Sequence, residues 1–181
     1  MTDRQEKSVR RIVTGLDENG KATVLYEGPP QSVLFTSNAK VGQLQIDNVP
    51  EFVFDVPEGK ACIADIWETD GLPPYNMADP VSSPHSFSIE PAGTGFRIRY
   101  FVWGANLDSS TMHTTDTIDI NHVIAGEVVL LLEEGRSVAL RAGDSVIVPG
   151  IPHGWITGPN GVTMLNIMQK LAPGTSTGSG H

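Results

Sequence analysis

Short apolar runs, each ended by glycine or proline, are the feature that most limits how this chain can fold. The 181 residues include 19 glycines and 13 prolines, and the apolar residues follow no sustained helical period. Runs typical of strands cover residues 9–14, 22–26, 32–36, 52–56, 61–68, 95–103, 123–124, 128–132, 138–140, 146–148 and 162–168. Many short strands at this spacing predict an all-β fold, either a sandwich or a barrel.

A proline-rich stretch divides the chain. Residues 71–91 hold five prolines, and proline lacks the N–H that a central strand requires. We therefore predict a long ordered loop or lid there. We expect an N-terminal arm with this loop over residues 1–94, a barrel core over 95–170 and a disordered tail over 171–181, all within one folded domain.

The chain is acidic, with 21 Asp and Glu residues against 12 Lys and Arg residues and a net charge of −9. This charge argues against a nucleic-acid or anionic-membrane partner. Arg97 and Arg99 share one face of the strand predicted at 95–103, opposite its apolar residues, and two arginines make no basic surface. No apolar run approaches the roughly 20 residues that span a bilayer. Residues 1–11 contain no apolar core typical of a signal peptide. Cys62 is the single cysteine, so an intramolecular disulfide is excluded. We expect a soluble, cytoplasmic protein.

Two histidines, His113 and His153, lie 40 residues apart in segments marked by glycines. If residues 112–119 form one extended strand, His113, Thr115 and Asp119 share parity and point to the same face. His153 would then approach that face from a second strand. The sequence therefore predicts one pocket that contains two imidazoles and a carboxylate.

The first segment resembles a motif of the cupin superfamily, a family of small jelly-roll β-barrels. That motif reads G-x5-H-x-H-x3/4-E-x6-G. With Gly126 at its closing glycine, the two histidine positions fall on His113 and Thr115, and the glutamate position falls on Asp119. The resemblance implies that these three residues face the barrel interior.

The second segment resembles the second cupin motif, G-x5-P-x-G-x2-H-x3-N. With Gly143 at its first glycine, the spacing to Gly150 is one residue shorter than in the motif, so Pro149 comes one position late relative to Gly150. Gly150 and His153 match G-x2-H, and Thr157 stands in place of the final asparagine. The two motifs together imply a single cupin barrel of the jelly-roll kind with an N-terminal β-rich arm.

The resemblance also implies a metal site, in which cupins use three imidazoles and one carboxylate. Thr115 cannot replace an imidazole, so His113, Asp119 and His153 remain as catalytic residues and as metal ligands if a metal is bound. That set suits a two-histidine-one-carboxylate iron site or a three-ligand zinc site, and the cofactor is then Fe, Mn or Zn, or none. Without a metal, the same groups suit proton transfer. We expect Thr115 and Trp155 to line the substrate pocket, although Trp155 also fits a purely packing role.

Three further polar residues are expected outside the pocket. His122 and Asp116 have the opposite parity to Asp119, so we expect them on the outer face or in a turn. His85 lies in the proline-rich loop, where a contact made by the lid is one interpretation and an exposed histidine is the simpler one.

Residues 112–119 resemble more specifically a subgroup of short single-domain cupins with an M-H-R-T-D-T-I-D-Y pattern, and residues 10–15 and 67–73 resemble the same subgroup. Its members occur in bacteria and in fungal polyketide gene clusters, including salicylaldehyde-type pathways, and are described as cupin-domain oxidoreductases. The resemblance implies an enzyme that tailors an aromatic or polyketide-derived metabolite, and a homodimer. A metal-free lyase or isomerase and a non-catalytic ligand-binding cupin are the alternatives.

Overall fold

The computed structural model describes residues 9–36, 46–74 and 77–172. Within these ranges the chain forms antiparallel strands and no α-helix, and hence no helix able to cross a membrane. The strands are β1 (Arg11–Leu16), β2 (Ala22–Gly28), β3 (Ser32–Thr36), β4 (Ile46–Asn48), β5 (Ala61–Glu68), β6 (Phe96–Trp103), β7 (Asp108–His113), β8 (Thr117–Leu131), β9 (Ser137–Arg141), β10 (Ser145–Pro149) and β11 (His153–Lys170). Of the tail expected over 171–181, residues 173–181 lie outside the described residues.

Beside the two-stranded sheet of β1 and β2, the strands form one nine-stranded sheet, in which the long strands β8 and β11 pair with different partners along their two halves. The first half of β8 pairs with β10 and with the second half of β11, and this sheet continues through β6, β5, β3 and β4. The second half of β8 pairs with β9 and with the first half of β11, which also pairs with β7. The predicted all-β class is confirmed, and the long sheet forms the wall of a barrel.

Gly126 allows β8 to bend where it crosses β11. Its φ is +77°, and a Cβ built on it would lie 2.2 Å from the carbonyl oxygen of Gly161. Only glycine combines this left-handed backbone with so close an approach. The register of the two strands shifts here, between Thr157 and Val162. The sequence predicted an interruption at Gly126, and the structure shows one continuous strand that bends there.

Two apolar clusters lie on opposite sides of the sheet. One lies inside the barrel and consists of Val123, Val128, Leu130, Leu140, Val148, Trp155, Val162 and Met164. The other packs on the outer side of β5 and β6 and consists of Val33, Phe52, Cys62, Ala64 and Val102. Residues 52–56, predicted as a strand, form none. They cover this second cluster instead, with the Phe52 ring edge-on to Phe54 at 5.2 Å and to Tyr100 at 6.4 Å.

The arginines of β6 are buried. Arg97 and Arg99 are 4% and 1% exposed, and each is ion-paired, Arg97 with Glu68 and Arg99 with Asp65. The carboxylate of Asp65 also accepts a hydrogen bond from Nε2 of His85 at 2.9 Å. His85 is therefore held against the sheet, and its expected role as an exposed loop residue is wrong.

These two arginines also hold the proline-rich loop in place. Arg97 Nη1 donates to the carbonyl oxygens of Ser88 at 2.7 Å and Glu90 at 3.0 Å. Arg99 Nη1 donates to the carbonyl oxygen of Ile89 at 3.1 Å. The described part of this loop is ordered by side chains of β6, as the predicted lid requires.

Replacement of Asp65 tests how far the fold depends on this pair. Asp65→Asn should lower the free energy of unfolding at pH 7 by about 3–5 kcal/mol, because Arg99 would stay buried without a counter-charge. Urea unfolding measures the change. Asp55→Asn, which alters an exposed carboxylate, should change the same quantity by less than about 0.5 kcal/mol.

The effect of Asp65→Asn should also depend on pH. Burial raises the pKa of Asp65, but the hydrogen bond with His85 and the charge of Arg99 outweigh burial and lower the pKa from 3.8 to about 2. A lowered pKa stabilises the folded state above the unfolded pKa, and that contribution is lost as the pH falls. The difference between the two proteins should therefore shrink between about pH 4 and pH 2. A constant difference down to about pH 2 would contradict this account.

Candidate functional site

The barrel contains a cavity of about 140 Å³. All five residues that the sequence predicted for the site line this cavity, namely His113, Thr115, Asp119, His153 and Trp155. Trp155 is 5% exposed and also belongs to the inner apolar cluster. Its ring lies edge-on to Trp103 at 6.1 Å and to the imidazole of His153 at 5.9 Å. Both expected roles of Trp155, wall and core, apply.

His113 and Asp119 lie on different strands. Strand β7 ends at His113 and β8 begins at Thr117, with Thr115 between them outside either strand. The prediction that all three residues follow one extended strand is therefore wrong. The three side chains nevertheless line one cavity, because β7 and β8 both pair with β11.

The two histidines meet across β7 and β11. His113 is the register partner of His153, and their ring centroids are 4.4 Å apart with an angle of 52° between the planes. Gly154 permits this approach, because a Cβ built there would lie 2.8 Å from the carbonyl oxygen of Ser110. The glycine after His153 therefore positions β7, and with it His113.

Backbone carbonyls set the tautomer of both imidazoles. His113 Nδ1 lies 3.2 Å from the carbonyl oxygen of Thr111, and His153 Nδ1 lies 2.8 Å from that of Ile151. A carbonyl oxygen only accepts, so each Nδ1 carries the hydrogen. Burial lowers the pKa of His153 below 6.5, and the neighbouring His113 lowers it further. His153 is thus neutral at pH 7, and its Nε2 offers a lone pair.

Asp119 is a buried carboxyl group in the same cavity. It is 6% exposed, and burial raises its pKa from 3.8 to about 6, although a hydrogen bond from Thr117 opposes the rise. Thr117 Oγ1 lies 2.5 Å from Asp119 Oδ1 and 2.9 Å from Thr115 Oγ1. A hydroxyl has a single hydrogen, so if Thr117 donates to the carboxyl group, Thr115 donates to Thr117. Thr115 therefore helps to orient Asp119.

The cavity also contains polar residues that the sequence analysis missed. Asn166 Nδ2 donates to Asn121 Oδ1 at 2.8 Å, and the two side chains are 3% and 5% exposed. Asn166 Oδ1 has no hydrogen-bond partner among the described residues. Arg99, paired with Asp65, forms part of another wall. The sequence signal for Asn121 is its spacing of two residues from Asp119, which places both side chains on the same face of β8.

The expected outer residues do lie away from the cavity. His122 Nδ1 lies 2.9 Å from Ser145 Oγ, and Asp116 is exposed. Neither residue lines the cavity.

The donor set does not fit a metal ion. In residues 9–36, 46–74 and 77–172, no three His, Cys, Asp or Glu side chains lie close enough together to hold one. His113 and His153 are adjacent, but Asp119 does not complete a group of three with them. The Fe, Mn or Zn implied by the cupin motifs stays a prediction.

Comparison with known proteins gives one curated relative, matched over a short stretch, and several structures of similar fold. Phomopsin biosynthesis cluster protein C' of Diaporthe leptostromiformis is 36% identical over 75 residues, which cover 41% of this chain and 38% of that relative. No family model matches the chain. The chain therefore spans well under half the length of the curated relative that it matches.

The similar structures include proteins that are named as cupins. An RmlC-like cupin from Shewanella frigidimarina is 14% identical, with a TM-score of 0.42 over 67% of this chain and 86% of that chain. A cupin superfamily protein from Desulfitobacterium hafniense is 14% identical, with a TM-score of 0.43 over 65% of this chain and 84% of that chain. At these values the likeness carries no activity over to this chain.

Metal analysis tests the fit. We expect protein purified without chelator to contain less than about a tenth of an equivalent of Fe, Mn or Zn per chain, because two imidazoles alone hold such ions weakly. Elemental analysis by mass spectrometry gives the number. A content near one equivalent that disappears in His153→Ala would instead support the metal site that the motifs imply.

Asp119→Asn should make the protein more stable at neutral pH. The folded pKa of Asp119, about 6, lies above the ordinary 3.8. The folded state therefore binds more protons than the unfolded state between these values, and stability is lost as the pH rises through about 6. The asparagine variant avoids this loss, so its free energy of unfolding should exceed that of the native protein by about 1–3 kcal/mol at pH 8.

Urea unfolding from about pH 4 to pH 8 measures this difference, which should approach zero near pH 4. Asp116→Asn removes an exposed carboxylate from the same segment and should produce no such trend. A native protein that stays as stable as Asp119→Asn across the range would rule out the raised pKa.

Proposed function

We propose that this chain is an enzyme that tailors a small aromatic or polyketide-derived metabolite by proton transfer. The supporting observation is the pairing, in one apolar cavity, of a carboxyl group with a pKa of about 6 and a neutral buried imidazole. A base and an acid that both function near neutral pH are what general acid–base catalysis requires.

His153 is assigned as the base. Its Nδ1 donates to the carbonyl oxygen of Ile151 at 2.8 Å, and burial lowers its pKa and so favours the neutral ring. Nε2 of such a ring accepts a proton. The ring centroid of His113 lies 4.4 Å away, and this neighbour lowers the pKa of His153 further.

Asp119 is assigned as the acid. Burial favours its protonated form and raises its pKa to about 6. A hydroxyl group of Thr117 already occupies Oδ1, so the carboxyl proton is carried on Oδ2. That proton is available to a substrate atom in the cavity.

This pair supports dehydration or isomerisation. In either reaction His153 Nε2 takes a proton from the substrate and Asp119 Oδ2 supplies one at a second atom, so no electrons are exchanged with a third molecule. In a dehydration the second atom is the oxygen of a departing hydroxyl group, which leaves as water. In an isomerisation it is a carbon at the far end of the displaced double bond. A return proton transfer from His153 to Asp119, direct or through water, restores the enzyme.

The curated relative supports a biosynthetic role. It is named as a protein of the phomopsin biosynthesis cluster, and the site of the present chain is a small apolar cavity with a few polar groups, as small-molecule sites are. Metal-assisted redox chemistry and ligand binding without catalysis are the other outcomes that the experiments distinguish.

Proton transfer can be followed without knowledge of the substrate. We expect the native protein, incubated in D₂O with a metabolite extract of its source organism, to yield compounds that carry carbon-bound deuterium, placed there by an isomerisation or by a dehydration as it runs in reverse. Asp119→Asn and His153→Gln should reduce this incorporation about 10²–10⁴-fold, the usual contribution of one acid or base. High-resolution mass spectrometry measures the incorporation.

Matched controls and the pH profile make this test specific. Asp116→Asn and His122→Gln replace the same residue types outside the cavity and should leave incorporation unchanged. The rate should fall below the pKa of His153, where the base is protonated, and above about 6, where Asp119 is ionised. Incorporation that survives both active-site changes would remove Asp119 and His153 from catalysis.

A further inference from the structure

The carbonyl oxygen of the Asn166 side chain is a buried acceptor without a donor. Asn166 is 3% exposed and lines the cavity, its Nδ2 is used by Asn121, and its Oδ1 has no partner among the described residues. Buried polar atoms in folded proteins are nearly always paired, and an unpaired one destabilises the protein by the cost of its lost hydration. A ligand that donates a hydrogen bond here would remove that cost.

The volume and the walls of the cavity restrict the shape of such a ligand. The cavity measures about 140 Å³, and a cavity of about 150 Å³ in another protein holds one benzene molecule. Phe101, Trp103 and Trp155 supply aromatic wall surface, which favours a flat ring in stacked or edge-on contact. One aromatic ring matches both the volume and the walls.

The charges around the cavity restrict the polar group that the ligand carries. Arg99 is the one guanidinium among the lining residues, and it is ion-paired with the fully buried Asp65. A ligand carboxylate would therefore find no free cation in this wall, and it would lie in the same cavity as the carboxyl group of Asp119. A neutral donor avoids both costs.

From these observations we infer that the cavity binds a phenol, with the phenolic hydroxyl donating to Asn166 Oδ1 and the ring lying among Phe101, Trp103 and Trp155. This inference rests on the proposed function, because it names the substrate class of the same cavity. Asn166 is opposite Asn121 in register, and Asp119 is two residues before Asn121 on the same strand face. Diagonal partners of this kind have Cα atoms about 7–8 Å apart, so a ring held at Asn166 lies beside the proposed acid.

Titration of the native protein with phenol, toluene and benzoate tests the inference directly. Toluene has the shape of phenol but no donor, and benzoate adds a charge. We expect phenol to bind about tenfold more tightly than toluene, as one neutral hydrogen bond implies, and benzoate to bind more weakly than phenol. Calorimetry gives the affinities, and the fluorescence of Trp103 and Trp155 gives an independent signal. No saturable phenol binding, phenol no tighter than toluene, or benzoate tighter than phenol would each overturn the inference.

Variants then assign the hydrogen bond to Asn166. Asn166→Leu should weaken phenol binding about tenfold and leave toluene binding unchanged. If that variant does not fold, Asn121→Leu combined with Asn166→Leu removes both amides of the pair and should also lose the preference for phenol. Asn160→Ala, at an exposed position of β11, should keep it. A preference that persists in the folded Asn166 variants would overturn the assignment.

The binding titrations and the deuterium experiment test the phenol site and the enzymatic proposal separately. These titrations need no turnover, whereas deuterium incorporation depends on His153 and Asp119. Selective phenol binding without deuterium incorporation would leave a phenol-binding protein and end the enzymatic proposal. Incorporation without phenol selectivity would leave the acid–base enzyme and end the present inference.

Discussion

The buried ion pair between Asp65 and Arg99 is the interaction on which the enclosed cavity depends. The side chains of Asp65 and Arg99 are 0% and 1% exposed, and such a pair is favourable only when further hydrogen bonds satisfy both partners. His85 supplies one to the carboxylate, and Ile89 accepts one from the guanidinium. Both of these partners belong to the proline-rich loop, so the charges in the sheet and the fold of the loop stabilise each other. The same loop places Phe87 and Ile89 in the cavity wall.

Enclosure explains the electrostatics of the site through a single cause. Removal from water disfavours the charged form of any group, so it raises the pKa of Asp119 and lowers that of His153. These opposite shifts bring the pKa values of Asp119 and His153 closer together without a specific contact between the two side chains. Burial of Asp119 and His153 thereby sets the direction of both pKa shifts, and the loop anchored at Asp65 contributes because Phe87 and Ile89 form part of the cavity wall.

The strands were predictable where apolar residues alternate, and the motif glycines gave the positions of His113, Asp119 and His153. Strand β7 was not predicted because the sequence of Asp108–His113 is mostly polar. For the same reason the turn that separates His113 from β8 was not predicted. Alternation in β6 showed which residues share a face, but both faces of this strand are covered. The face with Tyr100 and Val102 packs in the outer cluster, and the face with Arg97 and Arg99 lies against the cavity and the proline-rich loop. Burial of Arg97 and Arg99 therefore depended on distant partners, which the local pattern does not contain.

The site combines two groups that the fold accommodates at a cost, an ionisable carboxyl at Asp119 and an unpaired carbonyl at Asn166. Both lie where β8 and β11 pair over many residues, so an extensive backbone ladder holds them in place. A ligand that fills the cavity excludes water from Asp119 and so favours its neutral form further. Uptake of a ligand and of a proton at Asp119 must then reinforce each other, since a coupling between two binding events is reciprocal. Binding of a ligand would in this way favour the protonated form of Asp119.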